Sequence, residues 1–202
     1  MPDRDGELAA VAVEAAACTR CELYRRATQT VFGEGPVPAP LLLVGEQPGD
    51  KEDTAGHPFV GPAGRVLDDG LEAAEIDREA VYVTKAVKHF KWEPRGKRRI
   101  HQRPDAREVA ACRHWLDREV ELVEPRVLVA LGATALRPLF AGRQTVGGLR
   151  GAPHASRYGI PAVVTVHPSA IVRLREREER RAAFDAFVRD LRLAAAAADP
   201  DS

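Results

Sequence analysis

Cysteine is scarce: three residues in a chain of 202, an odd number and too few for a disulfide framework. A reducing compartment, the cytoplasm, with the thiols free or bound to metal, is the expectation. Long apolar runs are missing as well. The longest are strand-length, far below the ~20 residues of a bilayer crossing, so no membrane span is expected. Net charge is missing: 30 basic residues cancel 30 acidic ones, so the whole-chain balance points to neither nucleic acid nor a membrane surface. No internal repeat is visible, which excludes a repeat architecture. The opening MPDRDGELAAVAVEAAAC lacks the basic start of a secretory or lipoprotein leader. Asp3, Asp5 and Glu7 stand there instead, and Glu14 breaks the apolar stretch. It reads as an amphipathic helix ending near Cys18.

What is present is a globular composition, 45% hydrophobic and 30% charged. The length suits one domain, residues 1–202, large enough to bury a core without staples. Residues 40–44 (PLLLV) read as a buried strand stopped by Gly45 and Pro48-Gly49. Residues 62–76 read as a helix with Pro62 in its first turn, and 80–87 as a second strand. Residues 88–104 read as a long polar loop, and 105–123 as a helix capped by Asp105. A third strand is expected at 126–131, then a turn led by Gly132 and a short helix. Residues 143–160 read as irregular with one extra strand, 162–166 as another strand, and 175–197 as the last helix, with a fraying tail at 198–202. Strands alternating with helices argue for an α/β fold with a mostly parallel sheet covered on both faces. Ligands of such sheets sit beyond the carboxyl ends of the strands. The unusual residues fall there: GEQPGD (45–50) after the first strand and HPS (167–169) after the last.

Cys18 and Cys21 form a C-x-x-C, with Cys112 far along the chain. Ordinary thiols and a redox pair are both open readings, although no thioredoxin-like context surrounds the motif. A metal site needs a fourth ligand, and His89 at the end of the second strand is a candidate. Three thiolates and one imidazole suit zinc or an iron–sulfur cluster, and chemistry alone favours zinc. In GEQPGD, Glu46, Gln47 and Asp50 gather three polar side chains in a turn shaped by Gly45 and Gly49, as a pocket for a polar ligand would. Phe59, presented between Gly56 and Gly61, suits stacking on a planar base. KHFKWEPRGKRRIHQR (88–103) holds seven basic residues against one acid, with Phe90 and Trp92 among them. A solvated loop is the plain reading. Basic residues interleaved with aromatics also resemble a nucleic-acid surface. His101 and His167 are each open to a structural or a chemical role, because histidine titrates near neutrality.

In this order the segments resemble the family 4 uracil-DNA glycosylases, over about residues 15–190: C-x-x-C, GEQPGD, G-x-P-F-V-G-P-A-G, a helix cysteine and HPS. Gln47, where that family usually has alanine, and the added GKRRIH loop (96–101) resemble its UdgX branch, which becomes covalently joined to DNA through a histidine. The resemblance implies a three-layer α/β/α sandwich and a 4Fe-4S cluster held by Cys18, Cys21, His89 and Cys112, displacing zinc. It implies that Phe59 stacks on uracil and that His167, with Ser169 after it, donates to the leaving base. Glu46 would sit beside the reacting sugar carbon, with Gln47 and Asp50 lining the pocket. His101 would be the nucleophile. Lys97, Arg98 and Arg99 would grip DNA, single-stranded by preference, and the protein would act as a monomer.

These roles agree with the chemistry. A base must leave the stack before a pocket can hold it. Cleavage leaves cationic character on the sugar and negative charge on uracil, which Glu46 and His167 would stabilise. One departure stands out. The family's second strand carries a uracil-reading asparagine in a pattern like TNAVKH, and here Lys85 takes that place. Lysine only donates, so weakened or broadened base recognition is expected, and burial of its charge calls for Asp50 or Glu46 nearby. Two other readings stay open: ordinary turnover with water as nucleophile, and a non-catalytic iron–sulfur module that binds DNA.

Overall fold

The computed structural model describes residues 3–199. Helix α1 (Arg4–Ala16) leads to strand β1 (Leu41–Gly45), helices α2 (Asp50–Ala55) and α3 (Pro62–Ala73), and β2 (Val81–Lys85). A hairpin follows, β3 (Trp92–Arg95) and β4 (Arg98–His101), then α4 (Ala106–Val123), β5 (Val127–Leu131), α5 (Ala133–Leu139) and α6 (Val146–Leu149). The chain closes with β6 (His154–Ala155), β7 (Pro161–Thr165), α7 (Pro168–Arg173) and α8 (Arg177–Ala198). The main sheet has the order β2-β1-β5-β7-β6, parallel except for β6.

Strand periodicity sorts the core into two faces. Leu42, Val44, Tyr82, Leu128, Ala130 and Val164 pack against α1, α4 and α5. Leu41, Leu43, Val81, Val83, Val129 and Val163 pack against α3, α7 and α8. The result is the expected three-layer sandwich, with strands buried on both faces as parallel sheets require. Asp105 caps α4 as expected, accepting from the amides of Arg107 and Glu108.

Three local expectations change. The stretch 88–104 is not a plain loop: residues 92–101 pair as an antiparallel hairpin turned at Gly96-Lys97. The segment after GEQPGD folds as the short helix α2, and HPS opens α7. The last helix runs to Ala198, and of the tail expected to fray, residues 200–202 lie outside the described residues.

Candidate active site

The strand ends build one cavity of about 980 Å³. β1 delivers Glu46 and Gln47, β2 ends on Lys85, and β7 runs into His167 and Ser169, all of which line it. Gly132, after β5, has φ 88°, and a Cβ there would come within 2.9 Å of the His167 Cβ, so this turn passes beside His167 only as glycine.

Glu46 Oε2 accepts from Thr134 Oγ1 at the start of α5, and Oε1 lies 3.2 Å from His101 Nε2. Burial pushes this carboxyl up, but the contacts from His101 and Thr134, with the imidazole of His167 beyond, outweigh it and hold it at about 2. His167 Nδ1 accepts from the Ser169 amide at 3.2 Å, which puts the ring proton on Nε2. That nitrogen is buried and has no hydrogen-bond partner among the described residues. Burial first, then the Lys85 charge, lowers this imidazole to about 4, so it is neutral at pH 7. A buried donor left unpaired costs ~1–3 kcal/mol; a ligand oxygen in the cavity would complete it.

Lys85 is buried, and its ion-pair partner is neither Asp50 nor Glu46. Its Nζ lies 2.9 Å from Glu52 Oε1, on α2. The same carboxylate accepts from the amides of Gly49 and Phe59. Desolvation lowers Lys85 despite the Glu52 charge. The Phe59 ring is buried, stacks on the His167 ring at 6.5 Å between centroids, and carries the Lys85 ammonium at 3.5 Å from its centroid. Phe59 adopts φ 61°, a conformation stored at functional sites at a cost of ~1–3 kcal/mol.

The hairpin forms the opposite wall. His101, half exposed, ends β4 and faces Glu46. Gln47 clips the base of the hairpin: its amide donates to the carbonyls of Lys91 and Gln102 and accepts from the Lys91 amide at 2.9 Å. Arg99, partly exposed, ties the hairpin to α2. It bonds Asp50, the buried Asp53, Thr28 and Thr54, with its guanidinium over the rings of Phe90 and Trp92. Asp50 is therefore engaged by the hairpin as well as lining the cavity. Lys97 and Arg98 are exposed at the turn. Lys51, Arg103 and Arg173 add exposed positive charge around the cavity.

Cys18, Cys21 and Cys112 gather where the end of α1 meets α4, close enough that each thiol's charge bears on Cys112. Burial pushes Cys112 up to about 12 and Cys21 upward. Cys112 Sγ accepts from the Lys88 amide and Cys18 Sγ from the Trp115 indole, each at 3.2 Å. His89 Nε2 lies 2.9 Å from Thr30 Oγ1, whose own proton goes to the Ala15 carbonyl. Nε2 is then the donor, leaving the Nδ1 lone pair for a metal, the tautomer a ligating histidine takes when its other nitrogen is held by an oxygen. Among the described residues, no three side chains of this kind meet closely enough to hold a metal ion. A cluster spreads its ligands over its corners, whereas a single ion gathers them around one point. Three thiols and an oriented imidazole are the donor chemistry of such a cluster.

Sequence reasoning did not find Glu52 or Thr134, and it counted Arg103 only within the basic run 88–103. Arg103 Nε donates to the same Thr134 Oγ1 that bonds Glu46. Neither Glu52 nor Thr134 belongs to a motif; only the fold brings them to the strand ends.

A family model described as the uracil DNA glycosylase superfamily matches residues 32–192. The type-4 uracil-DNA glycosylase of Thermotoga maritima is 40% identical over 165 residues, 81% of this chain and 82% of the relative. That of Sulfurisphaera tokodaii is 32% identical over 165 residues, 78% and 72% of the two chains. That of Archaeoglobus fulgidus is 33% identical over 179 residues, 85% and 86% of the two.

Proposed function

This chain belongs to the uracil DNA glycosylase superfamily, and from that premise we propose that it is a DNA-repair glycosylase of the UdgX type. It excises uracil, from single-stranded DNA by preference, and stays covalently linked to the abasic sugar through His101. The observation that carries this reading is the contact of His101 Nε2 with Glu46 Oε1 at 3.2 Å, on the rim of the cavity that holds the unpaired His167 donor. Glu46, ionised by its low pKa, faces the cationic character that builds on the sugar. His167 Nε2–H donates to the base oxygen on which negative charge grows. One donor preorganised in this way is worth ~10²–10³ in rate.

The C1′–N1 bond breaks and its electron pair leaves with uracil. His101 bonds C1′ through the lone pair of the ring nitrogen that carries no hydrogen, while Glu46 holds the N–H of the other nitrogen; that proton then passes to the Glu46 carboxylate and on to the released base. The product is a neutral alkylated imidazole, one sugar–histidine bond and free uracil. No water attacks the sugar, so the protein turns over once.

In the same reading Cys18, Cys21, Cys112 and His89 hold a 4Fe-4S cluster. The cluster would tie the end of α1 to α4 and to the segment after β2; the chemistry above runs through protein side chains alone. Iron displaces thiol protons, so the raised thiols of Cys21 and Cys112 make loading stronger as pH rises. The purified protein is expected to be brown, with absorbance near ~400 nm lost on chelation; a colourless protein containing zinc would contradict the cluster.

The function is tested by mixing the protein with a uracil-containing oligonucleotide and running a denaturing gel. A retarded band that survives boiling is expected. Free DNA with an abasic site would replace this reading with ordinary turnover. DNA binding without either product would replace it with a non-catalytic module.

A further inference from the structure

The floor of the cavity holds a buried ammonium. Lys85 ends β2, its Nζ caps the Phe59 ring at 3.5 Å, and its partner Glu52 Oε1 is 2.9 Å away. Both side chains line the cavity with His167, whose ring stacks on that of Phe59 at 6.5 Å between centroids. The three lining groups differ in what they offer. His167 Nε2–H donates, the Glu52 carboxylate accepts, and the Lys85 ammonium donates. Uracil presents the complementary edge: an acceptor at O2, a donor at N3–H and an acceptor at O4.

We infer that the Lys85–Glu52 pair is the base-reading device of this protein, Lys85 donating to O4 and Glu52 accepting from N3–H, with His167 at O2. This rests on the uracil reading above and goes beyond it by placing base selection in an ion pair. Cytosine offers an amino group where Lys85 stands and a lone pair where Glu52 stands, so both contacts turn repulsive. A site built around buried polar groups rejects a base that leaves them unpaired. The ammonium also lies where the departing base carries negative charge, which makes Lys85 a catalytic residue as well as a reader. Removal of the neighbouring carboxylate instead would leave Lys85 buried without its counter-charge, so the two side chains act as one unit.

The test is single-turnover release of base from single-stranded oligonucleotides carrying one uracil, one 4-thiouracil or one cytosine. Wild type, Lys85→Met and the charge-neutral double variant Lys85→Met/Glu52→Gln are compared, with a thermal melt of each. Wild type is expected to release uracil and leave cytosine. Lys85→Met is expected to release uracil about 10²–10³-fold more slowly at saturating protein, with the half-saturating concentration little changed. The wild-type preference for uracil over 4-thiouracil, whose sulfur is a weak acceptor, is expected to collapse in that variant. Intrinsic reactivity cancels in this ratio of ratios, so its collapse reports the contact itself. If Lys85→Met fails to fold because Glu52 is left unpaired, the double variant gives the same readout with no buried charge. Unchanged uracil release, or an unchanged uracil to 4-thiouracil ratio, in a folded variant would overturn the base-reading role and leave uracil excision standing. No uracil release by wild type would overturn both.

Discussion

The sheet wall of the cavity carries Glu46, Lys85 and His167 at the ends of strands whose residues are buried on both faces. The hairpin wall carries His101 on a two-stranded ribbon that belongs to no other sheet. The sheet wall is fixed by the core itself. The hairpin wall is held by side chains: Gln47 at its base, Arg99 in the cleft beside α2, and the Trp92 indole on the Arg26 carbonyl at 2.9 Å. On the proposed function, base excision and covalent capture would rest on separable parts: the groups that would hold the base sit at the strand ends of the fold, and His101, the proposed nucleophile, sits on the attached hairpin.

Changes to the sheet wall are expected to have the largest effect. Glu46→Gln keeps the shape but removes the charge facing the sugar, and single-turnover kinetics are expected to show uracil release and adduct falling together by roughly 10²–10³-fold. Loss of adduct alone would break the comparison. Arg99→Ala releases the hairpin and leaves Asp53, fully buried, without its cation. A stability loss of about 3 kcal/mol by urea titration is expected, with adduct formation slowed ~10-fold and uracil release less affected; an equal loss of both would place Arg99 in the excision machinery.

A subtler contrast comes from pH. Folded His167 stays neutral down to about 4, whereas its ordinary value is 6.5. Between those values the unfolded chain binds more protons, so stability rises with pH across the window. His167→Gln is expected to flatten this rise by on the order of 2 kcal/mol, seen as a smaller change in urea midpoint between pH 4 and 6.5. The smallest effect belongs to the exposed hairpin turn. If Lys97 and Arg98 each meet one phosphate, neutralising both lowers the slope of log K against log salt by ~1.4, at ~0.7 per contact. No change would place the turn away from DNA.

Much of the sheet wall was legible in the sequence. Strands β1, β2, β5 and β7 are short β-branched or leucine-rich runs ended by glycine, proline or charge, and the motif residues fall at their carboxyl ends. The hairpin was not legible, because Pro94 argues against a strand and the run of basic residues hides alternation. Its two-residue turn with Gly96 at φ 61° was the available signal. Glu52 was invisible for a different reason. In DKED it reads as one of several solvated charges, and α2 is too short to show a period. Only the packing of α2 against the end of β2 turns that carboxylate inward to Lys85. Arg99 is a further case: its tie to the body was not legible, because only the fold sets Asp50 and Asp53, one helical turn apart on α2, to receive its guanidinium.

The separation of excision from capture is tested most directly with His101→Ala, by following uracil release and adduct in the same single-turnover reaction. No adduct is expected, with uracil release within ~10-fold of wild type, since Glu46, Lys85 and His167 remain in place. Uracil release that disappears together with the adduct would contradict that separation.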